Sequence, residues 1–398
     1  MTTELRPSLP IPMPLRGAEP GSFAHDTLAR RLPGIARRAI AENTFPPAVT
    51  TALEALAAEM PHGPIRPLRD LAAPDAADWA RYVAPYVGMS WLEAPWFFAE
   101  TYFFRRVLEA TGYFGGAGCG VDPYALQKRA GLELIPQGMA VSVPTRALRS
   151  ERLIQSLLAA LWGNQADLSL WPAEQGGRPL CGAAPAAERL LADDIPALAE
   201  HILGLAGRGA RVDLVLDNAG LELLADLELV DVLLSLDITV ALHAKPHPTY
   251  VSDVTEADLS ATIVWLGARE EPGMRALGER LRTALASGRA LVRADWFWTS
   301  PLAGWELPDV LRSGLARSGL IISKGDANYR RWLGDRHWPY DAPLERILSY
   351  APAPLALLRT CKSEVAAGIA RPRCASAAAQ DPSWLTNGRW GVVQFVQP

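Results

Sequence analysis

Val212-Asp-Leu-Val-Leu-Asp-Asn-Ala-Gly220 is an apolar run that stops on a carboxylate and an amide. Its branched residues suit a buried strand, and Leu221 to Leu234 continues with apolar residues at helical spacing. A strand running straight into Asp217 and Asn218 sets oxygen donors at its carboxyl end, where a hard cation such as Mg²⁺ or Mn²⁺ finds ligands. The alternative is an Asx turn capping the next helix, because Asp and Asn favour that position too.

Outward from this run, strands and helices alternate. Ile238 to His243 is a second strand and Thr255 to Gly267 a second helix. Ala290 to Trp296 and Leu320 to Ser323 are further strands, the latter followed by a helix near Asn328 to Leu333; Pro354 to Leu358 and Trp390 to Phe395 supply two more. This alternation predicts an α/β fold: a three-layer sandwich with a largely parallel central sheet, its ligands beyond the carboxyl ends of the strands. From Ser22 to Ala159 the spacing is helical and punctuated by prolines, which predicts an N-terminal helical bundle. The Gly- and Pro-rich stretch 171–186 divides a mainly helical region, 1–186, from an α/β region, 187–398, the two expected to pack as one unit.

Three more segments concentrate polar groups after apolar runs. His243-Ala-Lys-Pro-His-Pro-Thr-Tyr-Val-Ser-Asp-Val254 follows the second strand, so Lys245 and Asp253 return to the sheet end that carries Asp217; Asp253 has a helix-capping alternative. His243 and His247 invite a zinc reading, but the neighbouring acids favour an oxygen-rich site. Ile321-Ile-Ser-Lys-Gly-Asp-Ala-Asn-Tyr-Arg-Arg331 is strand, glycine turn and helix start, a geometry that receives anions, and it gathers Lys324, Asp326, Asn328, Tyr329 and Arg330. Leu357-Leu-Arg-Thr-Cys-Lys362 sends Arg359 and Lys362 toward the same end. Gly115-Gly-Ala-Gly-Cys-Gly120 mimics a nucleotide loop but follows a helical segment, and neither G-x-S-x-G nor a Walker A segment occurs.

Composition narrows the functional classes. With 49% hydrophobic and 21% charged residues the chain is globular, and its net charge of −4 gives no reason to expect nucleic acid or anionic lipid as a partner. No apolar run reaches membrane-spanning length, and prolines occupy the opening Met1 to Gly17, so a cytoplasmic protein is expected. Cys119, Cys181, Cys361 and Cys374 have no metal-ligand or disulfide spacing. Of 39 basic residues only Lys128, Lys245, Lys324 and Lys362 are lysines, and a lysine that persists against such a background points to a need for a compact ammonium.

With these segments in hand the chain resembles the damage-control phosphatase family, formerly the domain of unknown function numbered 89, in the branch of acidic-residue methyltransferase-like proteins. The motifs that carry the resemblance are LDNAG at 216–220, K-x-x-P-x-x-V-S-D-V at 245–254, KGDANYR at 324–330 and RTCK at 359–362. GSFAHDT at 21–27, WFFAETYFFRR at 96–106, DPY at 122–124, LWGNQADLSL at 161–170 and RWGVVQF at 389–395 support it. Ala327, where leucine is common, and Cys361 within RTCK are departures.

The resemblance implies one divalent metal (Mn²⁺, Co²⁺, Ni²⁺ or Mg²⁺) held by Asp217, Asn218 and Asp253, and hydrolysis of a small phosphorylated metabolite such as a sugar phosphate. It further implies that Asp217 or Asp326 orients the attacking water with Asp253 beside them. Lys245, Lys324, Asn328, Tyr329, Arg330, Arg359 and Lys362 then contact substrate, while Glu100, Asn164 and Asp167 line its sugar side. Competing readings are an S-adenosylmethionine-dependent carboxyl methyltransferase, a member recruited to specialised biosynthesis, and a non-catalytic phosphometabolite binder. Exact substrate and oligomeric state are not legible.

Overall fold

In the computed structural model, which describes residues 5–133, 135, 149–163 and 187–398, the apolar runs of the second half become strands of one sheet. They are β1 (Leu190–Asp193), β2 (Arg211–Val215), β3 (Thr239–Ala244), β4 (Ala290–Ala294), β5 (Leu320–Lys324), β6 (Leu355–Thr360) and β7 (Gly391–Val396). Among the described residues the order is β1-β7-β6-β5-β2-β3-β4. β6, β5, β2, β3 and β4 are mutually parallel, whereas β7 runs antiparallel to β6 and parallel to β1. The chain leaves β2 toward β3 and leaves β5 toward β6, in opposite directions across the sheet. The β2/β5 boundary is therefore a topological switch point, the place where ligands of such folds bind.

Side chains alternate between the two faces, and each face has its own apolar core. Val212, Leu214, Leu320 and Ile322 pack against the helices Arg149–Trp162, Ile195–Leu205, Leu221–Ser235, Glu256–Gly267 and Pro272–Ala286. Val215, Ile321, Leu355 and Leu357 pack on the other face, with residues of the N-terminal helices Leu32–Glu42, Pro47–Glu59 and Trp96–Thr111. The fold is thus a three-layer α/β sandwich with a helical N-terminal part. Trp96–Thr111 is buried along nearly its whole length, and its charges are paired: Arg105 with Asp75 at 2.7 Å and Arg106 with Glu59 at 2.9 Å.

Some boundaries differ from the sequence reading. The strand expected to reach Trp296 stops at Ala294, and Trp296–Thr299 forms a 3₁₀ turn because the Asp295 side chain accepts from Phe297 N. β1 and the helix Pro272–Ala286 were not anticipated; four residues of Leu-Leu-Ala-Asp give too short a period to read. No helix among the described residues is long and apolar enough to cross a membrane.

Candidate active site

The expected ligands meet because the loop after β3 folds back on the end of β2. Ala219 N donates to Ser252 O at 2.7 Å, Val254 N to Asp217 O at 2.8 Å and Lys245 N to Val254 O at 2.7 Å. Asn218 and Asp253 lie opposite each other in an antiparallel bridge. Neither Asp217 nor Asp253 caps a helix. Gly220 is the N-cap of Leu221–Ser235, without a side-chain bond, and Thr255 caps Glu256–Gly267 in a capping box with Asp258. The turn that delivers Ser252 and Asp253 is strained: Tyr250 and Val251 have φ of 48° and 70°, the latter exceptional for a β-branched residue.

Charge around these acids is balanced locally. Lys245 Nζ lies 3.2 Å from Asp253 Oδ2 and donates to Leu216 O at 3.0 Å. Asn218 Nδ2 donates to Asp217 Oδ2 at 2.8 Å, and Ser252 Oγ donates to Asn218 Oδ1 at 2.6 Å. Asp217 itself lies over Gly325. A Cβ there would come within 1.9 Å of Asp217 Oδ2, and the residue's φ of +82° is one that side chains rarely adopt.

The segment after β5 divides into parts that face the switch point and parts that do not. Lys324 shares its face with Leu320 and Ile322, so its side chain enters the helical layer and is fully buried. There Nζ meets Glu222 Oε1 and Asp226 Oδ1, each at 2.8 Å, and Ala160 O at 2.6 Å. The sequence reading expected Lys324 to grip phosphate; the structure places its ammonium among these three oxygens. Asn328 Nδ2 donates to Lys324 O and Leu216 O at 2.8 and 3.2 Å, stitching β5 to β2. Tyr329 lies beneath the Arg359 guanidinium, 4.3 Å from it, and its hydroxyl meets the backbone of Ala367.

Arg330 and Glu100, both expected to meet substrate, are bonded to each other at 2.5 Å, with Arg330 also bonded to Asp335 at 2.8 Å and stacked on Trp96. Asp326 Oδ1 accepts from Arg359 Nε at 2.7 Å, Ser363 Oγ at 3.0 Å and Lys362 N at 3.2 Å. That carboxylate ties the RTCK turn to the end of β5. Lys362 is buried beside Gly388, where a Cβ would sit 3.5 Å from its Cε. Burial raises the Cys361 thiol to about 11, so it stays protonated. Asn164 and Asp167 lie outside the described residues.

Residues that the sequence reading passed over complete this set. Ser252 and Ser363 fix Asn218 and Asp326, and Glu222 and Asp226 receive Lys324. The last pair carried a signal: two acids four apart, on one face near the start of a leucine- and valine-rich helix, need a cation if that face is buried. Gly115–Gly120 follows the left-handed C-cap Gly112 of Trp96–Thr111, and no strand leads into it.

Comparison with known proteins settles the family. Residues 27–376 match the model of the damage-control phosphatase ARMT1-like domain. The chain belongs to the damage-control phosphatase family. Damage-control phosphatase ARMT1 of Danio rerio is 32% identical over 340 residues, covering 78% of this chain and 75% of that protein. Its Mus musculus counterpart is 31% identical over 334 residues, covering 77% and 75%. A crystal structure of a DUF89 family protein from Pyrococcus horikoshii aligns over 92% of this chain and 96% of that one, at 15% identity and a TM-score of 0.46. As a member of this family the protein is a phosphatase.

In this damage-control phosphatase, Gly325→Ala is expected to displace Asp217 and lower kcat/KM by about a hundredfold or more, with the circular-dichroism spectrum unchanged. Near-wild-type turnover would contradict the close approach.

Burial pushes the Asp226 carboxyl up to about 7, against the pull of Lys324 and with Glu222 adding to the rise. A folded value above the unfolded one means the folded state binds the proton more tightly. The stabilisation is full below the unfolded value of about 3.9 and is lost as pH rises through 7. Asp226→Asn should therefore flatten the stability profile between about pH 4 and 7. Melting curves of chelator-treated protein across that range check this; parallel profiles for wild type and variant would contradict it.

Proposed function

We propose that the protein hydrolyses a small phosphorylated metabolite, a sugar phosphate being the class favoured, with a divalent cation held by Asp217, Asn218 and Asp253. The observation that carries this reading is the Asn218–Asp253 bridge at the β2/β5 switch point, with the Asp217 carboxylate seated over a glycine that leaves it room. Among the described residues no three His, Cys, Asp or Glu side chains converge as a metal cage. Two carboxylates and an amide oxygen are the hard donors that Mg²⁺ or Mn²⁺ takes when substrate and water complete its coordination. The residues present therefore fit such a cation.

When bound, the cation would supply positive charge against the phosphoryl oxygens. Asp326, held by three donors, orients the attacking water. Water oxygen forms the new bond to phosphorus as the ester P–O bond breaks, and the proton that the water gives up is balanced by the one the departing alkoxide takes to leave as the alcohol. Lys362, whose backbone N–H is one of the donors on Asp326, directs its ammonium at the phosphoryl group. Lys245 balances Asp253, and the Arg359–Asp326 and Arg330–Glu100 pairs hold the walls.

Chelator-stripped protein is expected to release no phosphate from sugar phosphates and to recover on addition of Mn²⁺, Co²⁺, Ni²⁺ or Mg²⁺. Equal phosphate release in excess chelator would remove the metal from the account. Lys362→Met should lower kcat/KM by roughly ten- to a hundredfold, and Lys362→Arg should also impair turnover because a planar guanidinium cannot replace a compact ammonium. Wild-type steady-state kinetics for both variants would place the phosphate grip elsewhere.

A further inference from the structure

We propose that Glu222 and Lys324 are positioning residues that hold the Asn218 side-chain amide with its oxygen available to the cation, a reading that rests on the cation site above. Lys324 Nζ donates to Ala160 O at 2.6 Å and Glu222 Oε1 at 2.8 Å and forms an ion pair with Asp226 Oδ1 at 2.8 Å. Glu222 Oε2 accepts from Asn218 Nδ2 at 2.9 Å, and Asp217 Oδ2 accepts from the same nitrogen at 2.8 Å. A carboxylate only accepts, so both amide hydrogens are committed to the two acids and the amide oxygen points away from them. It meets Ser252 Oγ at 2.6 Å, and its second lone pair remains for a cation. The serine hydroxyl could serve either end of an amide, so Glu222, together with Asp217, decides the orientation. A flipped amide would present an NH₂ group, which cannot ligate.

Lys324 makes Glu222 tenable. A carboxylate buried to this depth is costly unless paired, and the ammonium pairs it while binding Asp226 and a helix carbonyl. One compact ammonium meets three oxygens in an enclosed space, an arrangement that the five fixed donors of a guanidinium do not match. This accounts for a lysine at 324 in a chain whose other basic residues are nearly all arginine. The role is an outer hydrogen bond that orients a ligand, and such partners typically change metal affinity about ten- to a hundredfold.

Calorimetric titration of Mn²⁺ into the chelator-stripped full chain tests this without turnover. Glu222→Gln keeps the shape but allows an NH₂ group to face Asn218, so the Mn²⁺ Kd is expected to rise about ten- to a hundredfold. Melting of the metal-free variant shows that the fold survives. The exchanged pair, Asn218→Asp with Glu222→Gln, again sets a donor against an acceptor and has oxygen at 218 whichever way the group turns. It is expected to recover most of the lost affinity. Should Glu222→Gln alone fail to fold, the exchanged pair decides: binding supports the orienting role, and a folded protein that does not bind Mn²⁺ overturns it. An unchanged Kd in Glu222→Gln, or an exchanged pair as weak as the single variant, also overturns the orienting role. Asp253→Asn separates the two levels: if it abolishes Mn²⁺ binding, the cation site stands whatever Glu222 does, and if Mn²⁺ binds as before, the site reading itself fails.

Discussion

The return of the 245–254 loop onto residues 217–219 is the constraint on which the rest of the site depends. Backbone hydrogen bonds bring two acids 36 positions apart, Asp217 and Asp253, to one end of the sheet, and Lys245 crosses the same junction to reach both Asp253 and Leu216 O. Left-handed backbone at Tyr250 and Val251 costs about 1–3 kcal/mol per residue. Burial of Val251 and the Tyr250–Thr101 hydroxyl bond at 2.8 Å hold that conformation, so the buried N-terminal helix Trp96–Thr111 underwrites the geometry of the strand-end loop.

Around this junction the protein spends its arginines on architecture. Arg330 closes on Asp335 and Glu100, and Arg359 on Asp326 and the backbone of Ser363 and Val365. Arg331 has three backbone carbonyls and the rings of Phe97 and Phe297 around it, and burial lowers its pKa to about 10. These groups immobilise the walls of the site, as preorganised electrostatics require. Lysine takes the places where a small cation must meet several acceptors, as at Lys324, or tie a loop to the start of a helix, as Lys128 does between Asp122 and Asp258.

The parallel strands and their strand-end polar residues were legible because a fully buried parallel strand is largely apolar with an abrupt end, and both 214–216 and 320–322 have that form. β1 was not legible, since four residues carry no period, and the reversal of β7 depends on tertiary pairing rather than on its own residues. The metal candidates were visible as a group because each follows a strand. The partners of Lys324, Arg330 and Glu100 were not legible, and the reason is physical. Motif density shows that polar groups cluster, but the alternation of side chains along β5 decides which face receives each one, and the acids that claim Lys324 and Arg330 lie in other helices, 102 and 230 positions away.

Anomalous diffraction from crystals of the protein grown with Mn²⁺ tests the central claim most directly. The account predicts one strong manganese peak at the β2/β5 switch point, within coordination distance of Asp217, Asn218 Oδ1 and Asp253. A peak bound by other residues, or manganese-soaked crystals with no peak between β2 and the 245–254 loop, would contradict it.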